Sequence, residues 1–204
     1  ATTGSVASEP DEVQIAPMDP AVPPSFKSTA REDVAAIQIL MDRAGASPGV
    51  IDGKFGSNVD KAFAAYRTLT GTNLKSTDSE AIKAALAANG GDAFMNYTIT
   101  PEDVAGPYVA SIPEDYSHKA QLERMSYTSV TEALAERFHM DEGFLKTLNP
   151  ESNFNRPGTI IRVANTGTDV TDRKVARVTA DKKTKQVLAY DAYDKLVAAY
   201  PATI

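Results

Sequence analysis

Apolar residues recur at helical spacing in three stretches of the first half of the chain. Val34, Ile37, Leu40 or Met41, and Ala44 fall on one face, behind a capping box made by Thr29 and Glu32. Val59, Ala62 or Phe63, Tyr66 and Leu69 or Thr70 make a second face, predicting a helix from Ser57 to Thr70 that stops at Gly71. A third helix follows Thr77-Asp78-Ser79-Glu80, carries Ile82, Ala85, Leu86 and Asn89, and stops at Gly90-Gly91. Between the first two lies Gly49-Val50-Ile51-Asp52-Gly53-Lys54-Phe55-Gly56, a tight turn. There Asp folds onto the local backbone and Gly accepts positive φ. Gly56-Ser57 closes it, with Ser57 and Asp60 predicted to cap the next helix.

The second half mixes two periods. Leu122 to Tyr127 reads as a strand, and Ser129 with Glu132 caps a helix bearing Val130, Leu134 and Phe138. Asp141 caps another with Phe144, Leu145 and Leu148, ended by Asn149-Pro150, and Thr159 to Val163 reads as a strand. Val175–Ala180, Gln186–Asp191 and Leu196–Tyr200 predict three more strands, the first two joined by the polar turn Asp181–Lys185. The expected fold class is α+β and multi-module. It comprises a tether over 1–28, a helical unit over 29–91, a linker over 92–118, a strand-helix-helix-strand unit over 119–165, and β-strands over 170–204. The two central units are expected to have separate cores, because Pro- and Gly-rich breaks interrupt the periodicity between them.

Residues 1–28 hold Pro17, Pro20, Pro23 and Pro24 and no basic residue before Lys27. Such a composition buries too little apolar surface to offset its ordering entropy, so an extended disordered tether is expected. The competing reading is a tail wrapped on its neighbour through Val13, Ile15 and Phe26. The 204 residues include 42% hydrophobic but only 7% aromatic residues and no Trp, so the cores must be built from Ala, Leu, Ile and Val. A net charge of −6 argues against nucleic acid and anionic membrane surfaces as partners. No run approaches the roughly 20 apolar residues that span a bilayer. The chain does not begin with Met and lacks a signal-peptide pattern, so a removed leader or a trimmed chain is expected. With no Cys, disulfides, thiolate metal sites and a cysteine nucleophile are excluded from these residues.

The glycine-punctuated turn, together with Ile37-Gln38-x-Leu40, resembles the small peptidoglycan-binding domain of bacterial cell-wall enzymes. Tyr127-x-Ser129, Leu148-Asn149-Pro150 and Pro157-Gly158-Thr159-x-Ile161-x-Val163 resemble a LysM domain, whose members bind N-acetylglucosamine-containing glycans. The last strands, with Gln186-Val187-Leu188-x-Tyr190-Asp191 and Leu196-Val197-x-x-Tyr200-Pro201, look like the opening of an L,D-transpeptidase catalytic domain. Such enzymes cross-link peptidoglycan stem peptides through a cysteine acyl-enzyme. Their His-Gly and Ser-x-Gly-Cys segments are not in this chain, so the resemblance implies no catalytic residue here. It implies a periplasmic or cell-envelope location, peptidoglycan as partner, and a catalytic domain further along the same parent chain. The rival expectations are a non-binding interaction scaffold and the targeting region of a wall hydrolase.

By that resemblance the sugar groove of the second unit lies between two loops. One offers Tyr127, Thr128 and Ser129; the other offers Asn149, Glu151 and Asn153, with Pro150 and Ser152. The competing reading makes Tyr127 core and Asn149 a helix terminator. In the first unit Asp52, Lys54, Phe55 and Tyr66 are the candidates, the two aromatics fitting a core role better. No cofactor and no metal set is expected: His118 and His139 lack ligand spacing, and Asp52-Gly53 lacks the acids of a calcium loop. His139 closes a predicted helix, where its charge suits the dipole. Glu132 and Glu136 read as a solvated face, Asp141-Glu142 as a helix start, and Ser117-His118 as no triad.

Overall fold

The computed structural model describes residues 31–109, 127–168 and 173–203. The tether, the Thr29 cap, the strand residues 122–126 and His118 lie outside these. Helices α1 (Arg31–Arg43), α2 (Ser57–Thr70) and α3 (Ser79–Ala88) come first. Strand β1 (Phe94–Thr98) and the short α4 (Pro101–Ala105) follow. Then come α5 (Val130–Arg137), α6 (Glu142–Leu148) and β2 (Ile160–Ala164). Strands β3 (Arg177–Asp181), β4 (Gln186–Tyr190) and β5 (Leu196–Pro201) complete an α+β architecture with two small antiparallel sheets.

α1 occupies the middle of the molecule. Every residue from Asp33 to Met41 is buried, so this helix has no solvent face. Its sequence explains why: from Val34 to Met41 only Gln38 is polar, and a helix apolar all round must be covered all round. α2 and α3 pack against it. One continuous cluster then runs from Ile37, Leu40 and Ile82 through Ile51 and Phe94 to Leu134, Phe144, Ile161 and Ala199. The expectation of separate cores is therefore corrected.

The seam is backbone. Ile51 donates to the His139 carbonyl at 2.8 Å and accepts from Asp141 N–H at 3.0 Å, joining the first turn to the α5–α6 link. Ser47 N–H donates to the Ala199 carbonyl at 2.9 Å, and Ala199 N–H donates to the Gly45 carbonyl at 2.8 Å, fastening β5 behind α1. α2 also lies along β5.

A second correction concerns pairing. β2 pairs antiparallel with β1, Phe94 opposite Ala164 and Thr98 opposite Ile160. Of the expected strand Leu122 to Tyr127 only Tyr127 is among the described residues, and it bridges Tyr108. The stretch read as linker thus contributes a strand and a helix. α4 has its own start signal, since Thr100 and Asp103 form a reciprocal capping box around Pro101. Caps at α3 (Asp78) and α6 (Asp141) follow ordinary N-cap chemistry. The Ser57–Asp60 box does not form: α2 begins after Gly56, which has no side chain to offer.

β3, β4 and β5 form a meander, with Arg177 opposite Tyr190 and Val187 opposite Tyr200. A three-strand ribbon is marginal alone in water. Here the Ala46–Ala199 bridge and α2 brace it from the β5 side.

Candidate functional site

The turn after α1 is held from within by Gln38, which is 2% exposed. Its Oε1 accepts from Asp52 N–H at 3.1 Å and Gly53 N–H at 2.8 Å. Its Nε2 donates to Asp52 Oδ1 at 3.0 Å and the Lys54 carbonyl at 3.2 Å. A buried amide needs such full pairing to repay its desolvation. Asp52 Oδ1 also accepts from Lys54 N–H at 2.9 Å. Gly53 has φ +69°, and a Cβ there would lie 2.5 Å from the Arg31 carbonyl, so the turn admits only glycine at that point. Arg31 donates to the Asp52 carbonyl and lies 4.8 Å over the Phe144 ring.

This internal scaffolding leaves the outer side of the turn to Val50, Lys54 and Phe55, all exposed, with Phe55 at 47%. The core reading of Phe55 is corrected. For Tyr66 it holds: its ring is 3% exposed, and burial pushes its hydroxyl pKa up. Asp52 is an internal brace, which leaves Lys54 and Phe55 as the outward candidates.

The two loops expected to form the second groove are anchored separately. Ser129 Oγ accepts from Glu132 N–H as the α5 cap, and Glu132 turns back to Thr128, whose N–H and hydroxyl hold its pKa low. The Tyr127 carbonyl accepts from Val109 N–H. Asn149, 9% exposed, donates to the Leu145 carbonyl at 3.0 Å and the Arg162 carbonyl at 2.8 Å, and accepts from Arg162 N–H at 2.7 Å. That side chain ties α6 to β2 and faces inward. Glu151 and Asn153 are exposed, and Asn153 folds its own loop by accepting from Asn155 N–H.

Between α4 and α5 sits a polar cluster that the spacing of residues did not reveal. Asp103 accepts from Tyr97 Oη at 2.6 Å, Thr100 N–H at 2.9 Å and Arg137 Nη2 at 2.9 Å. Burial alone raises the Asp103 pKa, but these hydrogen bonds outweigh it and hold the carboxyl below its usual range. The same burial, with the bond to Asp103, raises that of Tyr97. The Tyr97 ring packs edge-on against Phe138 at 5.1 Å. The cluster is closed on itself and locks α4 to α5.

A cleft of about 280 Å³ lies at the junction of α1, the α5–α6 link and β5. His139 and Asp42 face each other across it, Nδ1 to Oδ2 at 2.9 Å. His139 sits in the left-handed region at φ 56°, just past the end of α5. Arg43 beside it donates to the carbonyls of Asn165, Asn89, Gly91 and Asp92, and Arg173 donates to the Val197 carbonyl at 3.1 Å. Among the described residues no group of His, Asp and Glu is arranged to hold a metal, and no helix is long and apolar enough to cross a membrane. No protein-family model and no curated protein matches the chain.

Proposed function

We propose that the chain binds peptidoglycan and positions a catalytic domain on it, as the N-terminal region of an L,D-transpeptidase. The observation that carries this reading is the Gln38-braced turn. It offers an aromatic face, Phe55, beside a cation, Lys54, on a rigid support. Sugar rings are recognised by apolar faces flanked by a few fixed polar groups, and pre-ordering such groups lowers the entropic cost of binding. The pairing of β1 with β2 around α5 and α6 supports a LysM-like unit whose first strand is Phe94–Thr98.

The scaffold reading is favoured by a different observation: Asn149, Ser129 and Tyr66 are occupied inside the protein. Pelleting with purified sacculi separates the two. Wild-type protein should co-sediment, and Phe55→Ala should weaken it by about 1 kcal/mol, roughly fivefold, for the loss of part of one apolar contact. Absence of pelleting by the wild type supports the scaffold. A longer chain including the residues after Ile204 should cross-link stem peptides in an iodoacetamide-sensitive way; otherwise the transpeptidase part of the proposal fails.

A further inference from the structure

The cleft behind α1 has a composition at odds with the rest of the protein. The chain carries a net charge of −6. Among the described residues, the lining of this cleft holds two arginines, Arg43 and Arg173, against one carboxylate, Asp42, which is already engaged by His139. Arg43 is held in place by four backbone carbonyls, so its charge is fixed at the wall, with the Asp92 charge acting on it. Arg173 is exposed and donates to a neutral acceptor, the Val197 carbonyl. Thr166, Thr168 and Tyr200, which carry hydroxyls, line the same space, with Val175 as an apolar residue.

The shape of the floor is built in. Gly45 has φ +86°, and a Cβ there would sit 2.9 Å from the Val197 carbonyl and 3.4 Å from Arg173 Nη1. Glycine therefore permits the close approach of α1's end to β5 and keeps room beside the Arg173 guanidinium. The volume lies just below the roughly 300–1,000 Å³ range of ligand pockets, suited to one sugar residue or a dipeptide end.

We propose that this cleft binds a carboxylate carried on a small hydroxyl- or amide-bearing body. Arg173 is the principal contact, Arg43 a fixed background charge, and the threonine and tyrosine hydroxyls the neutral partners. A planar guanidinium pairs with a carboxylate through two parallel hydrogen bonds, which gives the site direction as well as charge. The same chemistry arises in a uronic acid and in a peptide α-carboxylate. This inference stands apart from the wall-binding reading, since Phe55 and Lys54 are not among the lining residues.

The test is titration of the 204-residue chain, followed by amide NMR shifts, with four probes. They are glucuronic acid, glucose, N-acetyl-alanyl-alanine and its C-terminal amide. The expected result is saturable shifts at Gly45, Thr166, Thr168 and Val197 with at least one of the two acids, and at least tenfold weaker binding of its neutral counterpart. Which acid binds distinguishes the two sources. Arg173→Gln should reduce affinity at least tenfold, and Arg173→Lys, which keeps the charge but loses the paired hydrogen bonds, should fall between wild type and Arg173→Gln. Phe55→Ala should leave it unchanged. Binding of the neutral probes as tight as the acids, no saturable shift with either acid, or full affinity in Arg173→Gln overturns the proposal.

Discussion

Gln38 devotes both ends of its amide to one turn. Substitution by leucine keeps the volume but strands the Asp52 and Gly53 N–H groups and the Lys54 carbonyl. Gln38→Leu should therefore lower stability by about 2–3 kcal/mol, the cost of leaving buried polar groups unsatisfied. Urea denaturation reads this directly, and a change below half a kcal/mol would mean that water reaches the turn. Asp103 permits a second expectation with a sign. Its folded-state pKa is depressed, so its contribution is fully present above the ordinary carboxylate range near pH 4. It is lost as pH falls through the lower folded value. Asp103→Asn should cost about 1.5–3 kcal/mol at neutral pH, for hydrogen bonds to a charged group, and should flatten the stability slope below about pH 4. An unchanged slope in acid titrations of unfolding would assign the acid sensitivity elsewhere.

At the scale of elements, the turn residues and caps decide how much of the fold can be read from the letters alone. The helices were legible because Ile82 with Leu86, and Phe144 with Leu145, mark their buried faces, and Asp78 and Asp141 announce their starts. β1 was not. Its burial does not alternate, since Met95 and Asn96 are both exposed, and Pro101 and Pro107 beside it suggest a linker. Only the partner strand, more than sixty residues on, makes Phe94–Thr98 a strand. The candidate site divides in the same way. Lys54 and Phe55 lie on a turn that the spacing predicts, while Gln38 and Arg173 matter through long-range contacts. α2 supplies a design test of the capping logic. Gly56 is extended at φ −175°, and a Cβ there meets nothing within 4 Å. Gly56→Ser should add a cap to Val59 or its neighbour and reduce unfolded-state freedom, stabilising by about 0.5–1 kcal/mol in thermal melts. Destabilisation would show that the bare cap is required by a neighbour.

For the whole molecule, the buried α1 and the continuous core have one thermodynamic outcome. Helical and sheet regions should unfold together in one transition, with far-UV circular dichroism and the amide NMR signals of α1 and β4 superimposing. Two separated transitions would restore the picture of independent units joined by a linker. Gly45→Ala is the sharper probe, because the added methyl would press on the Val197 carbonyl and separate β5 from α1. The sheet should then lose protection from proteolysis before the helices do.

The paired hydrogen bonds between the end of α1 and Ala199 have a mechanical meaning. Two bonds on either side of one residue resist sliding as well as separation, so β5 keeps a set bearing relative to the Val50–Phe55 turn. A flexible joint at this place would let anything attached to the sheet sweep a volume around its anchor. A clasped joint makes the protein a gauge: it fixes how far, and in which direction, the sheet stands from the turn.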